Sequence, residues 1–157
     1  MNRTEVYIRR FYHSINIYSP YQLGIRNISE KANLSIIHWP YTSEITYYNG
    51  TYKIFINENL TKQQQWQDFG HEFGHFLLHD GNQTNMHHLF FNYQECQAEY
   101  FSYHFCIPTF MLLELKRVTI YDVMNLFNVE YNFAYTRLEM YRNKFIERIA
   151  ENERTYS

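Results

Sequence analysis

The sequence predicts an α+β fold, with helices at both ends and a small antiparallel sheet between them. Three observations carry this. Apolar residues recur at helical spacing in "TEVYIRRFYHSINIY" and through much of the second half. In "SEITYYNGTYKIFIN" two β-rich runs flank Asn49-Gly50, a dipeptide suited to a two-residue type I′ hairpin. Just before it, "LSIIHWP" is short, rich in branched residues and ended by Pro40, which reads as a third strand.

The elements follow in order. Thr4 stands where a helix N-cap would, and Pro20 stops the first helix and starts a second, with Leu23, Ile28 and Ala32 facing inward. In the hairpin Ile54 and Ile56 share one face and Phe55 takes the other. Thr61, with Gln64 three residues on, makes a capping box for a helix running to about residue 80, with Gly81 just past its end. Residues 81–92 read as a loop. A helix over 93–106 stops before Pro108, and three helical pieces follow over 109–116, 119–127 and 131–151, the second with Asp122 at capping-box distance from Thr119. We divide the chain into a core at 1–108 and a C-terminal helical segment at 109–157 that resembles a helix-turn-helix and packs on the core.

Composition narrows the class. Hydrophobic residues make up 45% and aromatics 20%, with 16 Tyr and 13 Phe, which excludes a disordered chain. A formal net charge of −2 provides no strong field toward nucleic acid or acidic lipid. Cys96 and Cys106 form no C-x-x-C pair, so neither a disulfide framework nor an all-thiolate metal site is expected. The first residues lack an apolar signal region, and "HFCIPTFMLLEL" is too short to span a bilayer, so the expected setting is the cytoplasm with no membrane contact.

The chemistry lies in "WQDFGHEFGHFLLHDG". Trp66, Phe69, Phe73 and Leu77 form a core stripe. His71 and His75, four apart, put their Cβ atoms roughly 5–6 Å apart on one face, close enough to grip one ion. Glu72 stands at the edge of that face, where it reaches a water on the ion without being a ligand: the string is H-E-x-x-H, two ligands and a general base. Gly70 and Gly74 are poor helix formers, each costing about 1 kcal/mol against Ala, and make sense if another element must approach closely. His79 lies some 12 Å along the axis from His71, too far to share an ion, and is a structural or lining residue. The extension with Gly and His at the next two positions fails, because Leu78 and Gly81 stand there.

A third ligand must come from elsewhere. Glu95 and Glu99 are again four apart on a helix; one carboxylate can bind the ion while the other orients a ligand histidine through its far nitrogen. His87 and His88 compete for the ligand place. The opposing reading makes Asn92 a helix cap paired with Glu95 and leaves Glu99 as a solvated charge.

"HEFGHFLLH" and "ECQAEYFSYHFCIP" together resemble the ImmA/IrrE-type metallo-endopeptidases of bacteria and their mobile elements, in which a Glu ligand precedes Ala, a polar residue, an aromatic and a closing Pro: here Glu95, Ala98, Glu99, Phe101 and Pro108. The likeness runs over about residues 21–138. Gln97 stands where Glu is usual in the family, and Glu99 where Asn or Asp is usual. The resemblance implies a minimal zincin-like domain with the sheet packed on the H-E-x-x-H helix. It implies one zinc ion held by His71, His75 and Glu95, with Glu99 behind them and Glu72 as catalytic base. Imidazole and carboxylate also suit manganese and iron. Tyr93, His87 and His88 are candidates for oxyanion or substrate contacts, and the hairpin strand before the zinc helix would hold an extended substrate by edge pairing.

The expected function is cleavage of one regulatory protein, by family analogy a helix-turn-helix transcriptional repressor of a mobile element or prophage. The competing reading is a non-catalytic, metal-containing regulator that binds DNA or a protein through its C-terminal helices. For a DNA reader the second helix of that tail is short of cations, since it opens Glu130, Tyr131, Asn132, Phe133 and reaches Arg137 only a turn later.

Overall fold

The computed structural model describes residues 1–78, 88–116 and 118–155. Helix α1 (Arg3–Ser14) leads through a single 3-10 turn (Pro20–Gln22) to α2 (Ile25–Ala32). Strands β1 (Ser35–Trp39), β2 (Glu44–Tyr48) and β3 (Thr51–Asn57) follow, then α3 (Lys62–Leu78), α4 (His88–Cys106), α5 (Thr109–Leu112), α6 (Ile120–Phe127) and α7 (Tyr131–Thr155). None of the described helices is long and apolar enough to cross a membrane.

The fold is α+β as expected, but the sheet is mixed. Its order is β1-β3-β2, with β2 antiparallel and β1 parallel to β3. The hairpin forms at Asn49 (φ 50°) and Gly50 (φ 82°), both left-handed as a type I′ turn requires. The hairpin then inserts β3 between the other two strands, so that β1 and β3 run the same way. Residues 40–43 carry the chain across the end of β3 and are stitched down there. The Ser43 hydroxyl accepts from the Asn57 N–H at 3.0 Å, and the Glu58 N–H donates to the Trp39 carbonyl at 2.9 Å. Ile54 and Ile56 are buried on one face, as the alternation predicts. β3 is therefore central, and the free edges belong to β1 and β2; the expectation that β3 itself offers an edge is corrected.

Local chemistry sets the helix ends. The Thr61 hydroxyl accepts from the Gln64 N–H (3.2 Å) while the Gln64 amide oxygen accepts from the Thr61 N–H (3.1 Å), and Thr119 and Asp122 repeat the pattern. Other boundaries move. The first cap is Asn2, boxed with Glu5, rather than Thr4. Gly24 at φ 144° separates the Pro20 turn from α2. The fifth helix ends at Leu112. α4 begins at His88 rather than near residue 93, so Asn92 lies inside it and caps nothing. The polar start of residues 81–92 masks the helical phase of its aromatic end.

α3 and α4 pack against each other through Phe69, Phe73, Phe101 and Phe105, all fully buried. Tyr12 stacks on Phe105 and donates its hydroxyl to the Phe105 carbonyl at 2.8 Å, which seats α1 on the same cluster. Each buried phenyl contributes roughly 1.5–3 kcal/mol. The two glycines of α3 face α4, as the close-approach argument requires. A Cβ on Gly70 would stand 2.8 Å from the Cys106 sulfur. One on Gly74 would stand 3.0 Å from the Phe101 ring and 3.3 Å from the Ala98 backbone.

A polar network ties the tail to the first helix. Arg137, 1% exposed, donates to the Ile107 carbonyl (3.1 Å) and the Thr109 hydroxyl (2.6 Å); Thr109 donates to Glu5 (2.8 Å), and Lys144 pairs with the other Glu5 oxygen. Burial alone would raise the Glu5 carboxyl, but Lys144, Thr109 and the Asn2 N–H outweigh it and hold Glu5 at about 2. His104 nearby is pushed down to about 4 by burial and by Arg137, and its neutral ring lies 2.9 Å from the Tyr100 carbonyl.

Two outcomes follow. Gly74→Val should overpack the α3–α4 contact and lower unfolding stability by about 1–3 kcal/mol in a urea titration. A carboxyl whose folded pKa is depressed stabilises above its unfolded value and loses that contribution as pH falls. Acid unfolding should therefore deepen from about pH 4.5 toward pH 2. Glu5→Gln should remove this dependence, about 2 kcal/mol once solvent screening at the Lys144 end is allowed for.

Candidate metal centre

His71 and His75 project from α3 one turn apart, and Glu95 meets them from α4. The two Nε2 atoms are 3.0 Å apart. The Glu95 oxygens stand 3.3 Å from His71 Nε2 and 3.2 Å from His75 Nε2. Three donors held about 2.0–2.1 Å from one tetrahedral ion are roughly 3.3 Å from each other, so the observed triangle has the size that such an ion demands. Neutral imidazole nitrogens and a carboxylate are the donor chemistry of a borderline divalent ion. The opening is graded. The His75 side chain is 8% exposed, His71 27% and Glu95 36%, which leaves one side of the triangle accessible.

The spacing is set by the helix contact beneath. Gly74 precedes His75, and the backbone it touches belongs to Ala98, one turn after Glu95. A larger residue at either place would move the carboxylate away from the imidazoles.

Glu72 stands beside the triangle, on the sheet side. Burial pushes its carboxyl up to about 8, partly offset by a hydrogen bond from the Ile45 N–H; Asp68, Glu95 and Glu44 add repulsion. Four acidic groups thus converge on this corner of the protein, and a cation among them would return Glu72 to its charged form. Ile45 belongs to the edge strand β2. Alternate residues of an antiparallel edge strand turn their N–H away from the ladder, and Ile45 is one of these, since its N–H serves Glu72. No periodicity of side chains could have revealed this backbone partner.

Other sequence candidates fall elsewhere. Glu99 is exposed and accepts from the Tyr103 hydroxyl, one turn along its own helix, at 3.3 Å. Among the described residues, the carboxylate paired with both imidazoles is Glu95. Tyr93 is 57% exposed and its hydroxyl accepts from Gln97 at 2.7 Å. His79 and His87 lie outside the described residues, and His88 is described only as the first residue of α4.

The model of the IrrE N-terminal-like domain, a peptidase family, matches residues 22–139. The chain belongs to the IrrE N-terminal-like peptidase family. Among its relatives it is 34% identical over 149 residues to the phage-like element PBSX protein XkdA of Bacillus subtilis (strain 168), covering 92% of this chain and 75% of that protein. It is 33% identical over 150 residues to the uncharacterized protein YqaB of the same organism, covering 92% and 87%. The family match spans nearly the stretch that the two motif blocks pointed to, and it takes in the whole triangle and most of the tail.

A metal of this IrrE-like domain would rest on the three converging side chains. Glu95→Ala should weaken zinc binding by at least about a hundredfold in a chelator competition, whereas Glu99→Ala should leave it within a few-fold.

Proposed function

We propose that this chain is a zinc-dependent endopeptidase that cleaves a specific regulatory protein, a helix-turn-helix repressor of a mobile element or prophage. The observation that carries the reading is the His71–His75–Glu95 triangle, open on one side, with a buried carboxylate beside it that also touches a free sheet edge. A zinc ion there would supply a Lewis acid that brings water to a pKa near 7 and polarises a carbonyl.

The chain's own residues do the rest. Glu72 takes a proton from the attacking water and returns it to the leaving amine, a role suited to a buried carboxylate standing beside the triangle. The edge of β2 offers backbone groups to an extended peptide, with Ile45 next to Glu72, so a bound segment would lie across the triangle. His75 is the most enclosed ligand, which keeps bulk water to one side of the centre.

The substrate class rests on the family and on the relatives. XkdA is by name a protein of a phage-like element, and a peptidase of such an element has the element's own regulators within reach. The tail supports proteolysis over DNA reading. Arg137, the cation nearest the start of the second tail helix, is buried on Ile107 and Thr109, and Glu130 is bound by Gln64 and Gln67 of α3.

Co-expression with a repressor from the same element should yield one discrete cut. Glu72→Gln should retain its zinc and its melting temperature while losing at least about a hundredfold in cleavage rate. Cleavage by the variant at the parent rate would overturn the assignment. A zinc chelator should abolish cutting by the parent, and added zinc should restore it.

A further inference from the structure

Beyond Ile45, the sheet and α3 carry three aromatic rings that the metal centre leaves unused. Tyr47 and Tyr52 stand directly opposite each other in the β2–β3 ladder, on the face of the buried Ile54 and Ile56. Their rings meet edge to face at 5.0 Å, and Tyr52 meets Phe76 of α3 in the same way at 5.2 Å. Phe76 stacks on the buried Phe73 at 5.8 Å. It follows the imidazole of His75 in the chain and lies one helical turn past Glu72, on the same side of α3. Two steps along β2, from Ile45 to Tyr47, thus match one turn of α3, from Glu72 to Phe76. The row is open at its sheet end, where Tyr47 is 63% and Tyr52 45% exposed. Scattered exposed rings are ordinary, whereas rings gathered beside a site mark a place that a ligand covers.

The backbone indicates what covers them. In an antiparallel strand the N–H and C=O of one residue point the same way, and the direction reverses at each step. Ile45 turns its N–H away from β3, to Glu72, so Tyr47 turns its N–H and C=O to the open edge as well. An extended peptide paired along that edge sets one side chain opposite Tyr47 and on its face, with the Cβ atoms roughly 5 Å apart. The next side chain on either side points to the other face. We propose that Tyr47, Tyr52 and Phe76 form a subsite for one aromatic side chain of the substrate, two residues along from the one opposite Ile45. An aromatic ring suits the place because it continues the edge-to-face row. This subsite presupposes the peptidase reading and adds to it the residue type that the cleaved segment carries. A tyrosine pair that only steadied the hairpin would give no such preference.

Peptide hydroxamates titrated calorimetrically into the zinc-loaded, full-length protein make the test, because a hydroxamate on the ion fixes the register. One set carries it at the C-terminus of acetyl-tetra-alanine. A second carries it as an N-terminal succinyl group on tetra-alanine amide, and in both sets Phe replaces each alanine in turn. One Phe position should bind about tenfold more tightly than the all-alanine probe, and its neighbours should bring no gain. Tyr47→Thr should remove that gain while holding the all-alanine probe within about twofold, and Tyr47→Phe should keep it. No gain at any position, equal gains at adjacent positions, a gain that survives Tyr47→Thr, or an equal loss of the all-alanine probe would each overturn the subsite and leave the peptidase reading standing. Failure of every hydroxamate to bind would overturn both.

Discussion

The approach of α4 to α3 at Gly70 and Gly74 is the constraint on which the rest depends. Two helices normally keep 8–10 Å between axes because side chains stand between them. Here the missing side chains let backbone meet backbone at Ala98, and the distance across the metal centre is inherited from that contact. The glycines weaken α3 as an isolated helix, and the aromatic packing of Phe69, Phe73, Phe101 and Phe105 offsets the loss. A local defect in propensity is thus the condition for a distant convergence of ligands.

The sheet contributes something different. It is small and mixed, and its role at the centre is exerted by backbone rather than by side chains. β2 holds Glu72 through Ile45, and β2 is held in turn by the hairpin whose turn residues are Asn49 and Gly50. Glu44, Asp68, Glu72 and Glu95 gather on this corner, an arrangement of like charge that opposes itself until a cation joins it.

What could be read from the sequence was local. Hairpin chemistry at Asn49-Gly50, the Thr61 and Thr119 capping boxes, the inward Ile54 and Ile56, and the one-turn spacing of His71 and His75 are all set by neighbours within a few residues. What could not be read depends on distant partners. The parallel pairing of β1 with β3 follows from how the hairpin docks. The early start of α4 is hidden by the polar residues before it. Arg137 shows the limit most clearly. In the sequence it stands simply as a cation one turn into the second tail helix, whereas Ile107, Thr109 and Glu5 draw it inward, a fate no local pattern encodes.

That buried guanidinium has a further consequence. It reaches back to residues 107 and 109, while Lys144 reaches to residue 5, so the last helix completes the hydrogen bonding of segments laid down 28 to 139 residues before. A tail wired in this way is not an exchangeable cassette. Recombination that swapped it between relatives would strand an ionised carboxylate inside the protein unless the matching arginine, threonine and lysine travelled with it, and so the two ends of the gene are bound to drift together.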